Sequence, residues 1–204
     1  MIYHHIYNRG AHKVPIFNDR SDYWRMLRLL YIANCSKPFN IRDIGESKIF
    51  DVEREDKLVD IVAYCLMPNH IHIALSETLP MSDIGDRMSD IGKASNITKF
   101  MRKVCTGYSN YFNLKYIHSG TIWQNSYKEK LFDKKDLGIL VPYVHLNPYG
   151  IKEPDMTKEA RKEHPEEAWA YSKEYEFSSL KDYLGEDRIQ KNILSFPLPD
   201  LPYV

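Results

Sequence analysis

The sequence is short of cysteine, of long apolar runs and of net charge, and each shortage removes a class of protein. Cys35, Cys65 and Cys105 are odd in number, far apart and without a CxxC pair. That excludes a disulfide frame or a zinc ribbon and implies a reducing, cytoplasmic setting. No apolar stretch approaches the roughly 18 residues that span a membrane, and no secretory leader pattern is present. A cytoplasmic protein without a membrane partner is therefore expected. The formal net charge is zero, so overall charge gives no sign of a polyanion. Its distribution does. Residues 87–135 hold ten Lys/Arg against three acidic residues, a net of +7, and residues 151–190 carry a net of −4. This asymmetry suggests a basic surface for nucleic acid and an acidic extension elsewhere, although an excess of lysine on a solvated helix face would give the same count.

The remaining composition, 43% hydrophobic and 27% charged, is that of a globular chain. "MIYHHIYNRG" reads as a strand running into a turn. In "DRSDYWRMLRLLYIANCS" apolar residues fall at helical spacing behind a cap at Ser21 or Asp22, and Pro38 closes the segment. Residues 40–58 allow at most a short strand at "KIFDV". "LVDIVAYCLM" and "HIHIALS" read as two strands of a hairpin turning at Pro68-Asn69. Residues 81–116 read as a long helical region, opening with the two-copy repeat "MSDIGDR" and "MSDIGKA", too short for a solenoid. "SGTIWQNSYKEKLF" reads as extended, and "KKDLGILVPYVHLNPYG" as a helix ended by Pro148 and Gly150. Pro142 lacks an N–H, which predicts that the helix carrying Tyr143 starts at about residue 141. The element order predicts an α+β fold: a largely antiparallel sheet with helices packed on one face, of the ferredoxin-like split βαβ kind. Residues 1–150 form the expected single domain. Residues 151–204 form a charged extension that packs on it or trails from it.

Two places carry candidate chemistry. In "CLMPNHIHIAL", His70 and His72 share one face of a strand while Ile71 and Ile73 take the other. Paired imidazoles suit a metal ion; a half-exposed strand with two incidental histidines fits the same letters. In "YVHLNP", Tyr143 and Asn147 share a helix face and His145 points elsewhere. A phenol and an amide oxygen aimed at one point could serve phosphoryl chemistry. The same residues also fit a core tyrosine and a helix C-cap.

Together these pieces resemble the single-tyrosine HUH transposases, and within them the REP-associated tyrosine transposases. The resemblance runs through "YHHIYNRG", "IFNDRSDYWRML", "AYCLMPNHIHIAL", "YSNYFNLKYIHSGTIWQNSYKEKLF", "YVHLNP" and "YEFSSLKDYLG", in family order over about residues 1–185. It implies a ferredoxin-like HUH-type fold acting on single-stranded DNA near hairpins. His70 and His72 would be metal ligands and Tyr143 the nucleophile. Asn147 would stand where related insertion-sequence transposases have a glutamine as third ligand. The implied metal is Mg²⁺ or Mn²⁺, and the implied reaction a covalent 5′-phosphotyrosine exchange.

Within the basic stretch, Lys99, Arg102, Lys103, Lys128 and Lys130 are expected along the DNA backbone. Of Tyr108, Tyr111, Phe112, Tyr116 and Trp123, only one or two are expected to stack on unpaired bases, with Trp123 the named candidate. The implied partner is single-stranded or hairpin DNA, and a homodimer stays open. Two rival readings need less of the site. A transposase-derived hairpin-binding protein that does not cut needs neither Tyr143 nor metal. A metallohydrolase would recruit His145 or an acidic residue and activate water.

Overall fold

A computed structural model describes the chain except for residues 40, 55, 78–93, 158–159, 161–162, 196–197 and 199–204. Strands β1 (Ile2–Arg9), β2 (Val59–Met67), β3 (His70–Glu77) and β4 (Lys128–Asp133) form one antiparallel sheet in the order β2-β3-β1-β4. The described α-helices are α1 (Arg20–Ile32), the single turn α2 (Ile41–Ile44), α3 (Asn96–Lys115), α4 (Leu137–His145), the single turn α5 (Tyr149–Lys152), α6 (Pro165–Ser172) and the single turn α7 (Leu180–Tyr183). With α1 and α3 as crossovers, this is the expected split βαβ arrangement.

Side-chain alternation divides the sheet into two faces. Ile6, Ile61, Tyr64, Leu66, Ile71, Ile73 and Leu75 are buried on one face, against α1 and α3. Tyr3, Val62, Ala63, Cys65, Met67 and Ala74 are buried on the other, against Leu137, Leu140, Val141 and Val144 of α4. The two long helices thus cover one face, as expected. The short α4 lies on the opposite face, which the one-face expectation left bare. A register shift between Ile61 and Ala63 puts the consecutive Val62 and Ala63 into the same core.

Local chemistry explains the element ends. Asp19, not Ser21 or Asp22, caps α1: its carboxylate accepts from the Ser21 and Asp22 amides, and Asp22 accepts from the Asp19 amide in return. Ser95 caps α3 by accepting from the Thr98 amide. Gly107 lets α1 approach α3, since a Cβ there would lie 2.8 Å from Leu29 Cδ2. At the far end of α3, Lys115 Nζ lies 2.7 Å from Asp19, Ser21 and the buried Asp22, while Tyr111 and Tyr116 donate to Asp22. The hydrogen bond from the Lys115 ammonium holds the Asp19 carboxyl well below the usual carboxylate range. Burial alone would raise Asp22, but Lys115 and Tyr116 outweigh it and the net direction is down.

Three expected elements differ. The expected strand at "KIFDV" is part of a 3-10 helix, Glu46–Asp51, because consecutive Ile49 and Phe50 both reach the core, which a strand's alternation forbids. The extended run from Ser119 narrows to β4, preceded by a single bridge from Trp123 to Gly10. The helix of Tyr143 begins at Leu137 and runs through Pro142, rather than starting at 141. Pro142 forfeits only the bond to the Gly138 carbonyl, at a cost of about 3 kcal/mol. Burying Leu140, Val141 and Val144 contributes about 1.5–3 kcal/mol each and outweighs it. The long helical region is seen as α3; the repeat at 81–94 lies almost wholly outside the described residues.

The C-terminal extension lines the outer edge of β2. The Leu66 amide donates to the Phe177 carbonyl, Ser179 to Tyr64 and Ser195 to Ile61, with an antiparallel bridge between Cys65 and Ser178. One sheet edge is thereby covered, and β4 forms the other.

Candidate functional site

The face under α4 gathers the candidate residues. His70 and His72 alternate with Ile71, so both point to this side, with ring centroids 4.9 Å apart and planes at 80°. The β1–β3 register sets Tyr7 opposite His72 and Arg9 opposite His70. His5, Tyr7 and Arg9 therefore share that face. The β1–β4 register adds Lys130 opposite His5 and Lys128 opposite Tyr7, both exposed. From above, α4 brings in Tyr143. Its ring meets His5 edge-on at 5.3 Å and His72 edge-on at 5.9 Å. Tyr143 keeps 36% exposure at the mouth of the site, while His72 below it keeps 4%.

His70 is held in a defined protonation pattern. The Asn69 amide nitrogen donates to the Lys13 carbonyl at 2.9 Å, which turns the amide oxygen toward His70 Nδ1 at 2.6 Å. An amide oxygen can only accept, so in the neutral ring the His70 proton sits on Nδ1 and the lone pair on Nε2. Such a partner on the non-ligating nitrogen is the usual support of a metal-binding histidine. Among the described residues, no three His, Cys, Asp or Glu side chains gather to hold an ion. Among the described residues, a third ligand to an ion held here would be of another type. Asn147 ends α4, its nitrogen donating to the carbonyls of Tyr143 at 2.7 Å and Val144 at 3.4 Å. The cap reading of Asn147 is therefore correct for its nitrogen, and the oxygen remains a donor atom suited to a hard cation. Two imidazole nitrogens favour Mn²⁺ and later divalent ions, whereas an amide oxygen suits harder ones such as Mg²⁺.

His145 is turned away, as expected. It is fully buried, with Nε2 2.7 Å from Ser179 Oγ and its ring edge-on to Tyr183. Burial, with Arg188 nearby, pushes it down to about 3. It fastens the extension to α4 and has no place in the site.

The basic stretch divides. Lys128 and Lys130 lie on the histidine face, but Lys99, Arg102 and Lys103 rise from α3, which packs on the other side of the sheet. Lys103 is further engaged by the carbonyls of Cys35 and Lys37. Trp123 is a correction. It is 6% exposed in the core beneath α3, and its indole N–H donates to the Cys105 carbonyl, so it offers no face to a base. Tyr108 and Phe112 are also buried there, and Tyr111 and Tyr116 are tied to Asp22. Arg87 and Lys93 lie outside the described residues. Sequence reasoning passed over His5, Tyr7, Arg9 and Asn69. The period-two order Tyr3, His5, Tyr7, Arg9 was the available signal for three of them.

No family model matches the chain. Over 90 residues it is 33% identical to a curated protein of Haemophilus influenzae described as "Putative REP-associated tyrosine transposase"; the match covers 44% of this chain and 49% of that protein. The chain thus spans about half the length of the curated relative it matches. A solved structure of a REP-associated tyrosine transposase bound to a REP hairpin superposes with a TM-score of 0.50 at 16% identity, covering 98% of this chain and 88% of that one. The second likeness speaks for the fold alone. In sequence over part of its length, and in fold over nearly all of it, the chain resembles the REP-associated tyrosine transposases.

Proposed function

We propose that this chain cuts and rejoins single-stranded DNA beside hairpins, with Tyr143 as the nucleophile. The observation that carries the reading is the edge-on approach of an exposed Tyr143 to His72, over a face where His70 is already arranged to present a lone pair. The likeness to a fold solved with a hairpin supports the substrate class. His70, His72 and Asn147 would hold a divalent ion, Mg²⁺ or Mn²⁺, whose chemistry when bound is Lewis-acid polarisation of a scissile phosphate.

The protein's own part is placement. Buried Leu140, Val141 and Val144 clamp α4 on the sheet, so Tyr143 is presented to the mouth on a fixed helix. Attack by Oη forms a P–O bond to the tyrosine and breaks the bond to the 3′ oxygen; the phenol gives up one proton and the departing oxygen gains one. The 5′-phosphotyrosine keeps the phosphodiester energy, so the 3′-OH of another strand can reverse the step without ATP. Lys128 and Lys130 would hold backbone phosphates along the same face, with salt-dependent affinity.

The test is incubation with hairpin oligonucleotides bearing single-stranded flanks, with Mn²⁺ or Mg²⁺, followed by denaturing electrophoresis. A covalent protein–DNA adduct is expected, and Tyr143→Phe, which leaves the ring to pack, should lose the adduct but keep binding. Adduct formation by Tyr143→Phe would overturn the nucleophile. Tight hairpin binding with no adduct under any divalent metal would leave a binding protein that does not cut.

A further inference from the structure

His5 has no part in the chemistry proposed above, yet it touches three other side chains of the site. It keeps 4% exposure, stacks on Tyr7 at 5.2 Å and on His72 at 5.0 Å, and meets the edge of Tyr143 at 5.3 Å. Its Nε2 lies 2.8 Å from Nδ1 of His72. A hydrogen bond between two neutral imidazoles needs one N–H and one lone pair, so it exists in two forms. With His5 as donor, the proton of His72 would sit on Nε2, and that nitrogen could not ligate. With His72 as donor, Nε2 of His72 carries a lone pair, as Nε2 of His70 does through Asn69.

A direct ligand role for His5 Nε2 beside His72 Nδ1 is excluded by distance. Two nitrogens bound at about 2.1 Å to one ion stand about 3 Å or more apart. The observed 2.8 Å is a hydrogen-bond separation. We infer that His5 is a positioning residue: it accepts the Nδ1–H of His72 and so fixes the Nε2 lone pair of that ligand toward the ion. The inference rests on the reading of His70 and His72 as ligands. It makes the two histidines a matched pair, each oriented from behind by a different element, the β2–β3 turn for His70 and β1 for His72.

The deciding measurement needs neither metal nor DNA. Two-bond ¹H–¹⁵N correlation spectra of the metal-free, ¹⁵N-labelled protein at about pH 8, where unperturbed imidazoles are neutral, report each histidine's tautomer. His72→Asn identifies the relevant signals by their loss. The His72 signals should be those of the Nδ1–H form; the Nε2–H form would overturn the inference even if no variant could be made. His5→Leu should convert His72 to the Nε2–H form and weaken Mn²⁺ binding, measured by calorimetry, by about 10–100-fold. His5→Gln, whose amide oxygen accepts the same proton, should recover most of that loss. Wild-type Mn²⁺ affinity in His5→Leu would overturn the inference. Mn²⁺ binding unchanged by His72→Ala would instead overturn the ligand reading, whatever tautomer His72 adopts.

Discussion

Replacing Lys128 and Lys130 together with glutamine isolates the electrostatics of the proposed DNA face. In register, Lys128 stands beside Tyr7 and Lys130 beside His5, both exposed on the histidine side, while Glu129 between them points to the other side and pairs with His4. Each lysine that meets a phosphate releases counterions, and for single strands the slope of log K against log salt is about −0.7 per contact. Loss of both should flatten the slope by about 1.4. At about 0.1 M salt, each contact contributes about 1 kcal/mol, so hairpin binding should weaken roughly 25-fold. The assay is fluorescence anisotropy with a labelled hairpin oligonucleotide over a salt series. The matched control is Lys99→Gln with Arg102→Gln, which removes the same charge from α3 across the sheet. That control should keep the wild-type slope. A flattened slope in the control and an unchanged one in the β4 double variant would refute the placement of DNA on the histidine face.

Other expectations concern stability. Lys115→Met leaves the buried Asp22 carboxylate without its cation and should cost about 3 kcal/mol at pH 7, read from urea denaturation; a loss under about 0.5 kcal/mol would refute the assigned role. Because Asp19 and Asp22 are shifted down in the fold, that contribution is present above the ordinary carboxylate range and fades as pH falls below it, so Lys115→Met should also show a shallower acid transition. His145 is likewise pushed down, to about 3, so its neutral form supports the fold above pH 6.5 and stability should fall by about 1.4 kcal/mol per pH unit as pH drops from there toward 3. His145→Gln should remove that slope, and an unchanged pH profile would count against the buried contact with Ser179. Pro142→Ala restores a donor for the Gly138 carbonyl and should stabilise the protein by about 1–3 kcal/mol without loss of the adduct; a destabilised variant would mean that the proline ring is needed for packing.

The hairpin and the histidine face were legible because strand alternation is a property of adjacent letters: His-Ile-His within an apolar run admits one arrangement. The order of strands and helices was legible for the same reason. His5 was not, because "YHHIY" places a histidine on each face, and only the β1–β3 register decides which one meets His72. Trp123 and Lys103 misled because charge and aromatic content along a chain carry no information about the side of the sheet. Packing of α3 turned the first into core and gave the second to the carbonyls of Cys35 and Lys37. Pro142 misled in another way. Propensity set the cost of a proline in a helix, but burial of three aliphatic side chains on the sheet set the larger and opposite quantity.

The hydrogen bond between His145 and Ser179 also sets an order of events during synthesis. His145 lies two residues beyond the proposed nucleophile, and its buried partner is encoded 34 residues later. At about 5–20 residues per second, a ribosome reaches that serine roughly 2–7 seconds after leaving His145. Until then α4 lacks the contact that fastens its end, and the β2 edge lacks Phe177 and Ser179 as pairing partners. A nascent chain of this protein can therefore close its sheet, and lay α4 on it, well before the end of that helix is fastened.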